Sequence, residues 1–285
     1  MKTISVVMCA SNAEDTIAGS IESVLKQSYP DFELIIVNNG STDNTKAIIN
    51  SYDDERIRII DNIDNYIQSL NIGIKASTGK YIARMDSGDI MHVDRLKLQH
   101  SVMEDFPNII VCSCWEIIFG KNIARRMHEQ KFCGLIEQPL VQLLNDNVRI
   151  SPIYMMRKSF IDEKKIQYED YNYAEDYKLW SEIAKSKGVL YMDSQPLIYS
   201  RICDMKISRK RREIQIQNIS KIKKEIVFSL CYKLSEVYPM LIPLYHTNID
   251  LLKEELISEK DFFSLFYSLF IKNKNRFKDI ENKLK

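Results

Sequence analysis

The first ninety or so residues alternate four times between short apolar runs and helical patterns, and that rhythm restricts the chain to a parallel α/β layer. Residues 3–9 (TISVVMC) form a continuous, largely β-branched run, as a central strand buried on both faces requires. Ser11-Asn12-Ala13-Glu14 then reads as a helix start, with a capping side chain, an acid in the first turn and apolar residues at Ile17, Ile21, Val24 and Leu25. Residues 32–37 (FELIIV) are a second strand that breaks at Asn38 to Asp43, and 45–51 resume as helix. A short strand over 56–60 and a helix over 67–76, stopped by Thr78-Gly79, lead to a fourth strand ending at Asp86. Right-handed crossovers put all four strands in one parallel sheet.

In such a sheet the strand ends near Ser11, Asn39 and Asp86 share one edge, and ligands collect in the crevice beyond that edge. The fourth strand runs into Asp86-Ser87-Gly88-Asp89. Two carboxylates there suit a hard cation or sugar hydroxyls. A simple turn that uses Ser-Gly for backbone freedom is the competing reading. No G-x-G-x-x-G follows the first strand and no G-x-x-x-x-G-K-[ST] occurs, which disfavours a dinucleotide fingerprint and a P-loop.

The pattern continues with a helix over 94–103, a strand over 108–115, weak regularity through Phe132, a helix over 138–144 and an extended segment over 150–158. A helix opens at Glu175-Asp176 and runs to about Lys187, and short strands follow at 189–192 and 197–201. Beyond Lys206 everything reads as helical, with breaks at Tyr238-Pro239 and Ile242-Pro243. Strand content ends near residue 205, which divides the chain into an α/β domain (1–205) and a helical extension (206–285). With 45% apolar and 28% charged residues and a net charge of +1, the composition is that of an ordinary globular protein. No apolar run approaches eighteen residues and residues 4–10 are too short for a signal, so the expected setting is reducing and cytoplasmic. Cys112 and Cys114 point the same way on a strand and read as core rather than as a zinc site.

A second acidic site is Glu175-Asp176, in a first helical turn where the dipole favours anions. Tyr171, Tyr173, Tyr177 and Trp180 flank it. Aromatic rings beside a carboxylate can hold a sugar, although the helical spacing equally suits core packing. The segment 201–224 carries nine Lys/Arg against two acids. It reads either as a solvated helix face or as an amphipathic surface for anionic lipid headgroups. No motif supports nucleic-acid binding.

Several stretches taken in order resemble family 2 glycosyltransferases of the GT-A fold: SVVM and SNAEDTI, QSYPDFELIIVNNGSTDNT, NIGIKASTGKYIARMDSGD and AEDYKLW, across residues 3 to about 208. The resemblance implies a mainly parallel sheet flanked by helices. It also implies an inverting enzyme that moves a sugar from a nucleotide-diphosphate donor, a UDP-sugar foremost, to an acceptor hydroxyl, with Mg²⁺ or Mn²⁺. Bacterial members commonly build capsule, lipopolysaccharide or other surface glycans, and the basic C-terminal segment would then bring the enzyme to a lipid-linked glycan acceptor at the inner face of the membrane. Carried over by position, Ala10, Ser11 and Glu14 border the nucleotide, Asn39 faces the base with Asn71 nearby, and Asp86 holds ribose or metal. Asp176 is then the general base.

This sequence departs from the family pattern at five places. Asn39 stands where a second Asp is usual, and Ser11 where an aromatic is common. Gly88 occupies the metal-carboxylate position, which leaves Asp89 to serve. Ser151 and Cys203 replace two His, and a soft thiol is a poor partner for Mg²⁺. These changes set a weakened or silent glycosyltransferase-like binding protein as the second expectation. A glycosidase, with carboxylates about 5–9.5 Å apart across the scissile bond, has no need of nucleotide-type strand ends.

Overall fold

The computed structural model describes residues 2–63, 65–120, 123–128, 133–145, 153–202 and 209–273. Strand β1 (Ile4–Ala10) is buried at all seven positions because it lies inside a parallel sheet covered on both faces. Its neighbours are β2 (Phe32–Asn39) and β4 (Tyr81–Asp86), and β3 (Ile57–Asn62) extends the parallel half beyond β2. The crossovers are α1 (Ile17–Leu25), α2 (Thr45–Asn50) and α3 (Tyr66–Ala76). Beyond β4 the sheet is mixed. Strands β5 (Ile90–Met91), β6 (Ile109–Gly120), β9 (Tyr154–Arg157) and β10 (Val189–Arg201) complete the order β3-β2-β1-β4-β9-β6-β10-β5. Two short strands lie off that path: β7 (Ile123–His128) pairs with β6, and β8 (Gly134–Leu135) with β10.

Gly79 is what lets β4 lie against β1, since an added Cβ would sit 2.7 Å from the Ser5 amide nitrogen. One face of the sheet is covered by α1 and α4 (Arg95–Asp105), with Ile17, Ile21, Val24, Leu96 and Met103 fully buried. Cys112 and Cys114 are buried in this core, as expected from their spacing. The other face packs α3, α5 (Pro139–Leu144), α6 (Lys158–Lys164) and α7 (Glu175–Lys185). The C-terminal helices α8 (Arg209–Leu234), α9 (Leu241–Lys253) and α10 (Glu259–Lys272) join this second core. Ile222, Ile226 and Val227 of α8 and Phe262, Phe266 and Phe270 of α10 are all fully buried in one cluster with Leu179 and Trp180 of α7.

Several elements differ from the sequence reading. The first helix begins at Ile17, not at Ser11: Asn12 takes φ 48°, in the left-handed region that a right-handed helix excludes, and residues 12–14 dock on Ser41, Asp43 and Thr45. Asn12 N–H donates to Ser41 Oγ, Ala13 N–H to Thr45 Oγ1 and Glu14 N–H to Asp43 Oδ2. The irregular stretch after Trp115 is a β6–β7 hairpin, and the two late strands are one strand with register shifts around Pro196. The expected extended segment at 150–158 contains β9 and then turns helical at Lys158. Pro243 lies in the first turn of α9, where no partner for its missing N–H is needed. Residue 205, Ser151 and Cys203 fall outside the described residues.

Candidate active site

The sheet edge assembles three of the expected strand ends. Register pairs Cys9 with Asp86 and Ala10 with Asn38, so Ala10, Asn39 and Asp86 lie at neighbouring carboxyl ends of β1, β2 and β4. Gly40, at φ +59°, turns the chain out of β2. Ser11 is exposed beside this edge. Glu14 is committed to the adjoining loop, where its Oε2 accepts from the amide (3.0 Å) and the side-chain nitrogen (2.9 Å) of Asn44. Asn38 donates to Asp61 Oδ1 at 2.9 Å. The side-chain oxygens of Asn38 and Asn39 are buried without a protein partner. An acceptor buried without a partner is costly, so each is a candidate for a donor from outside the protein.

A second group centres on Arg84, which the sequence reading passed over. It is the one charged residue inside the apolar β4 run, and its side chain is 5% exposed. Its guanidinium lies 3.0 Å from Asp86 Oδ1 and 3.8 Å from Asp176 Oδ2, and it donates to the Tyr66 hydroxyl. Burial opposes the charge on Arg84, but Asp176 and Asp86 together hold it well above its ordinary range. Asp176, at 21% side-chain exposure, is thus brought across to the strand end that carries Asp86. Burial raises the Asp176 carboxyl above the usual range; Asp86 pushes the same way, while Arg84 and the Tyr168 hydroxyl oppose. Tyr168 O–H donates to Asp176 Oδ1 at 2.9 Å and also bonds to the Tyr154 hydroxyl, whose ring packs edge-on to Trp180.

Asn71 reaches this group indirectly. Its amide spends both halves on the Tyr168 backbone, donating to the carbonyl and accepting from the N–H at 2.9 Å each. Tyr154 and Tyr168 lie in segments with no motif, so only their position after folding reveals them. Of the flanking aromatics, Tyr171 and Trp180 are buried as core and Tyr177 donates to the Leu143 carbonyl, which leaves Tyr173 exposed. Glu175 presents a buried Oε2 without a partner, and burial beside Asp176 raises its carboxyl.

Asp89 is 7% exposed and accepts from the Arg201 N–H at 2.8 Å, which ties the β4–β5 loop to β10. Burial, reinforced by Asp86, pushes its carboxyl up to about 7. Among the described residues no group of three or more His, Cys, Asp or Glu converges on a point. Asp86 and Asp89 stand close enough to interact, and oxygen donors of this kind suit a hard cation whose other ligands are phosphates and water. A Cβ added at Gly88 would meet nothing within 4 Å among the described residues, so the position tolerates a side chain at its root.

Residues 5–164 match the family described as glycosyl transferase family 2. A Haemophilus influenzae protein described as an uncharacterized glycosyltransferase is 30% identical over 93% of this chain and 86% of its own length. The chain belongs to glycosyl transferase family 2. The Escherichia coli protein WfgD, a UDP-Glc:alpha-D-GlcNAc-diphosphoundecaprenol beta-1,3-glucosyltransferase, is 29% identical over 65% of this chain and 71% of its own. Crystal structures of Staphylococcus aureus TarS (residues 1–349) share the fold: TM-score 0.63, 17% identity, 80% of this chain and 65% of that one. TarS was also solved with UDP and with UDP-GlcNAc. The GT-A arrangement expected for a nucleotide-sugar-dependent glycosyltransferase is present. The Glu175-Asp176 turn lies beyond the matched segment.

Proposed function

We propose that this family 2 glycosyltransferase is an inverting enzyme that uses a UDP-sugar, with Asp176 as its general base. The observation that carries the reading is the pairing of Asp176 with Asp86 across Arg84, which sets a half-buried carboxylate opposite the strand edge where Ala10, Asn39 and Asp86 meet. The acceptor hydroxyl gives its proton to Asp176 as its oxygen attacks the anomeric carbon. The bond from that carbon to the diphosphate breaks on the opposite side, and the nucleotide leaves with the electron pair. One Asp176 oxygen is engaged by Tyr168, which orients the carboxylate; the other faces Arg84 beyond hydrogen-bonding distance and retains a lone pair for the proton.

The unmet oxygen of Asn39 suits the N–H edge of a uracil, with Ala10, Ser11 and Glu14 bordering the nucleotide. Asp86 and Asp89 would hold Mg²⁺ or Mn²⁺, which when bound offsets charge on the leaving diphosphate. WfgD acts on a lipid-linked acceptor, which supports a lipid-linked glycan acceptor here, in capsule or lipopolysaccharide synthesis at the inner face of the membrane. The basic first turns of α8 are the segment suited to meet anionic headgroups.

Turnover of UDP-sugars with Mn²⁺, compared between wild type and Asp176→Asn, tests the base. Equal turnover in the two proteins overturns that role. Calorimetry with UDP and Mn²⁺ tests the donor site, and an absence of binding under every condition favours a silent, glycan-binding protein instead.

A further inference from the structure

The acidic turn has local backbone bonds, Ala174 N–H to the Tyr171 carbonyl at 2.8 Å and Lys178 N–H to the Ala174 carbonyl at 2.9 Å, but no side-chain cap of its own. Helix α7 starts at Glu175 without a side-chain N-cap, and Tyr173, two residues earlier, has φ 65°, in the left-handed region that bulky residues rarely adopt. Such a conformation persists where surrounding structure over-determines it. Here the surrounding structure is a stripe on α8. Gln215 Nε2 donates to the Tyr173 carbonyl at 2.8 Å, and Asn218 Nδ2 donates to the Asn172 carbonyl at 2.9 Å. Lys221 stands 4.7 Å over the Tyr171 ring. Glu225 accepts both from the Tyr171 hydroxyl and from Lys178 Nζ, the latter at 2.7 Å. Positions 215, 218, 221/222 and 225 follow helical three-and-four spacing, so one face of α8 lies along residues 171–178. Lys178 is almost completely buried, two residues after Asp176, and divides its charge between Glu182 and Glu225. The same helix therefore grips the backbone just before the acidic turn and the side chain just after it.

We propose that α8 is a positioning element for the catalytic turn, with Gln215, Asn218 and Glu225 fixing where the Asp176 carboxylate stands relative to the acceptor. The proposal rests on the reading of Asp176 as the general base. The three residues hold Tyr171, Asn172, Tyr173 and Lys178 and not the strand edge, so their loss acts on the proton-transfer geometry and not on donor binding.

The test uses the full chain as a Gln215→Ala/Asn218→Ala double variant and as Glu225→Gln. Measured for each are kcat, the KM for a UDP-sugar, UDP affinity by calorimetry and the melting temperature. Glu259→Gln is the reference: Glu259 accepts from Lys224 and Ser220, so its loss loosens α8 against α10 and leaves residues 171–178 untouched. The double variant alters only half-buried polar groups and keeps the core intact even if Glu225→Gln folds poorly. Expected is a kcat lower by about tenfold to a hundredfold in the double variant, the scale for a displaced catalytic group, with donor KM and UDP affinity unchanged. Glu259→Gln keeps its kcat. A double variant with wild-type kcat, or a kcat loss of equal size in Glu259→Gln, overturns the proposal. Asp176→Asn run in parallel separates the two ideas. If that variant turns over normally the base assignment fails; if it is inactive while the α8 variants run at full rate, the base stands and the positioning role fails.

Discussion

Replacing Arg84 by Met should move the acid limb of the rate profile to higher pH. The guanidinium is 3.8 Å from Asp176 Oδ2 and 3.0 Å from Asp86 Oδ1. Two unit charges about 4 Å apart attract by about 4 kcal/mol at an effective dielectric of ~20, equivalent to about 3 pH units at 1.36 kcal/mol each. Solvent reaches Asp176, so we expect the ordinary range for a lost opposite charge, about 1–3 units. The direction follows from the balance of forces. Burial and Asp86 already raise the Asp176 carboxyl, with Arg84 and Tyr168 opposing. Without Arg84 the carboxyl holds its proton to higher pH, and a base must be ionised to act. The profile of kcat/KM against pH, taken from pH 5 to 9, should therefore show its acid limb displaced upward, with rate recovered on the alkaline side. Stability should fall at neutral pH by less than the ~3–5 kcal/mol of a fully buried broken pair, because the Asp86 side chain is 35% exposed. That loss should shrink as pH drops through the raised carboxyl, since the folded state then takes up the proton more readily than the unfolded chain. A folded Arg84→Met protein whose acid limb stays in place would refute the account of Asp176 and Arg84 as a coupled pair.

Asp176→Asn keeps the volume and a hydrogen bond to Tyr168 but cannot accept a proton; turnover should fall by about 10²–10⁴ while UDP affinity by calorimetry stays the same. Gly88→Asp should fold normally, as the added Cβ meets nothing within 4 Å among the described residues, and should tighten Mn²⁺-dependent UDP binding in the same assay. Gly79→Ala should lower stability by about 1–3 kcal/mol in urea unfolding, because its Cβ would approach the backbone of Ile4 and Ser5 within 2.7–2.8 Å. Asn39→Ala should weaken UDP binding and leave melting behaviour nearly unchanged, since the protein itself offers the Asn39 oxygen no partner.

The parallel half of the sheet was legible from local signals alone. Apolar runs such as FELIIV leave a strand buried on both faces as the economical arrangement, and alternation with helices fixes its direction. The strand ends near Ser11, Asn39 and Asp86 followed from that topology, and the strands that end at Ala10, Asn39 and Asp86 do lie side by side. The helix expected at Ser11 failed because Asn12 turns left-handed, at φ 48°, where the chain docks on Ser41, Asp43 and Thr45, residues about thirty positions away that come into range only after β1 and β2 pair.

The surroundings of the two acidic turns were not legible in this way. Each turn could be named from its own residues, but Arg84 reads locally as one polar residue in an apolar strand, and Tyr154 and Tyr168 belong to stretches without periodicity. Their meeting at Asp176 depends on β9 pairing with β4 and on α7 closing over that face. The C-terminal helix was legible as helix and as basic, because composition and period are local properties. That its Gln215, Asn218 and Glu225 grip the chain around Asp176 was decided by tertiary packing, since hydrogen bonds across forty to fifty-four residues leave no imprint on local pattern. Sequence alone determined the sheet and the positions of its acids; the fold decided which charges and hydroxyls stand against them.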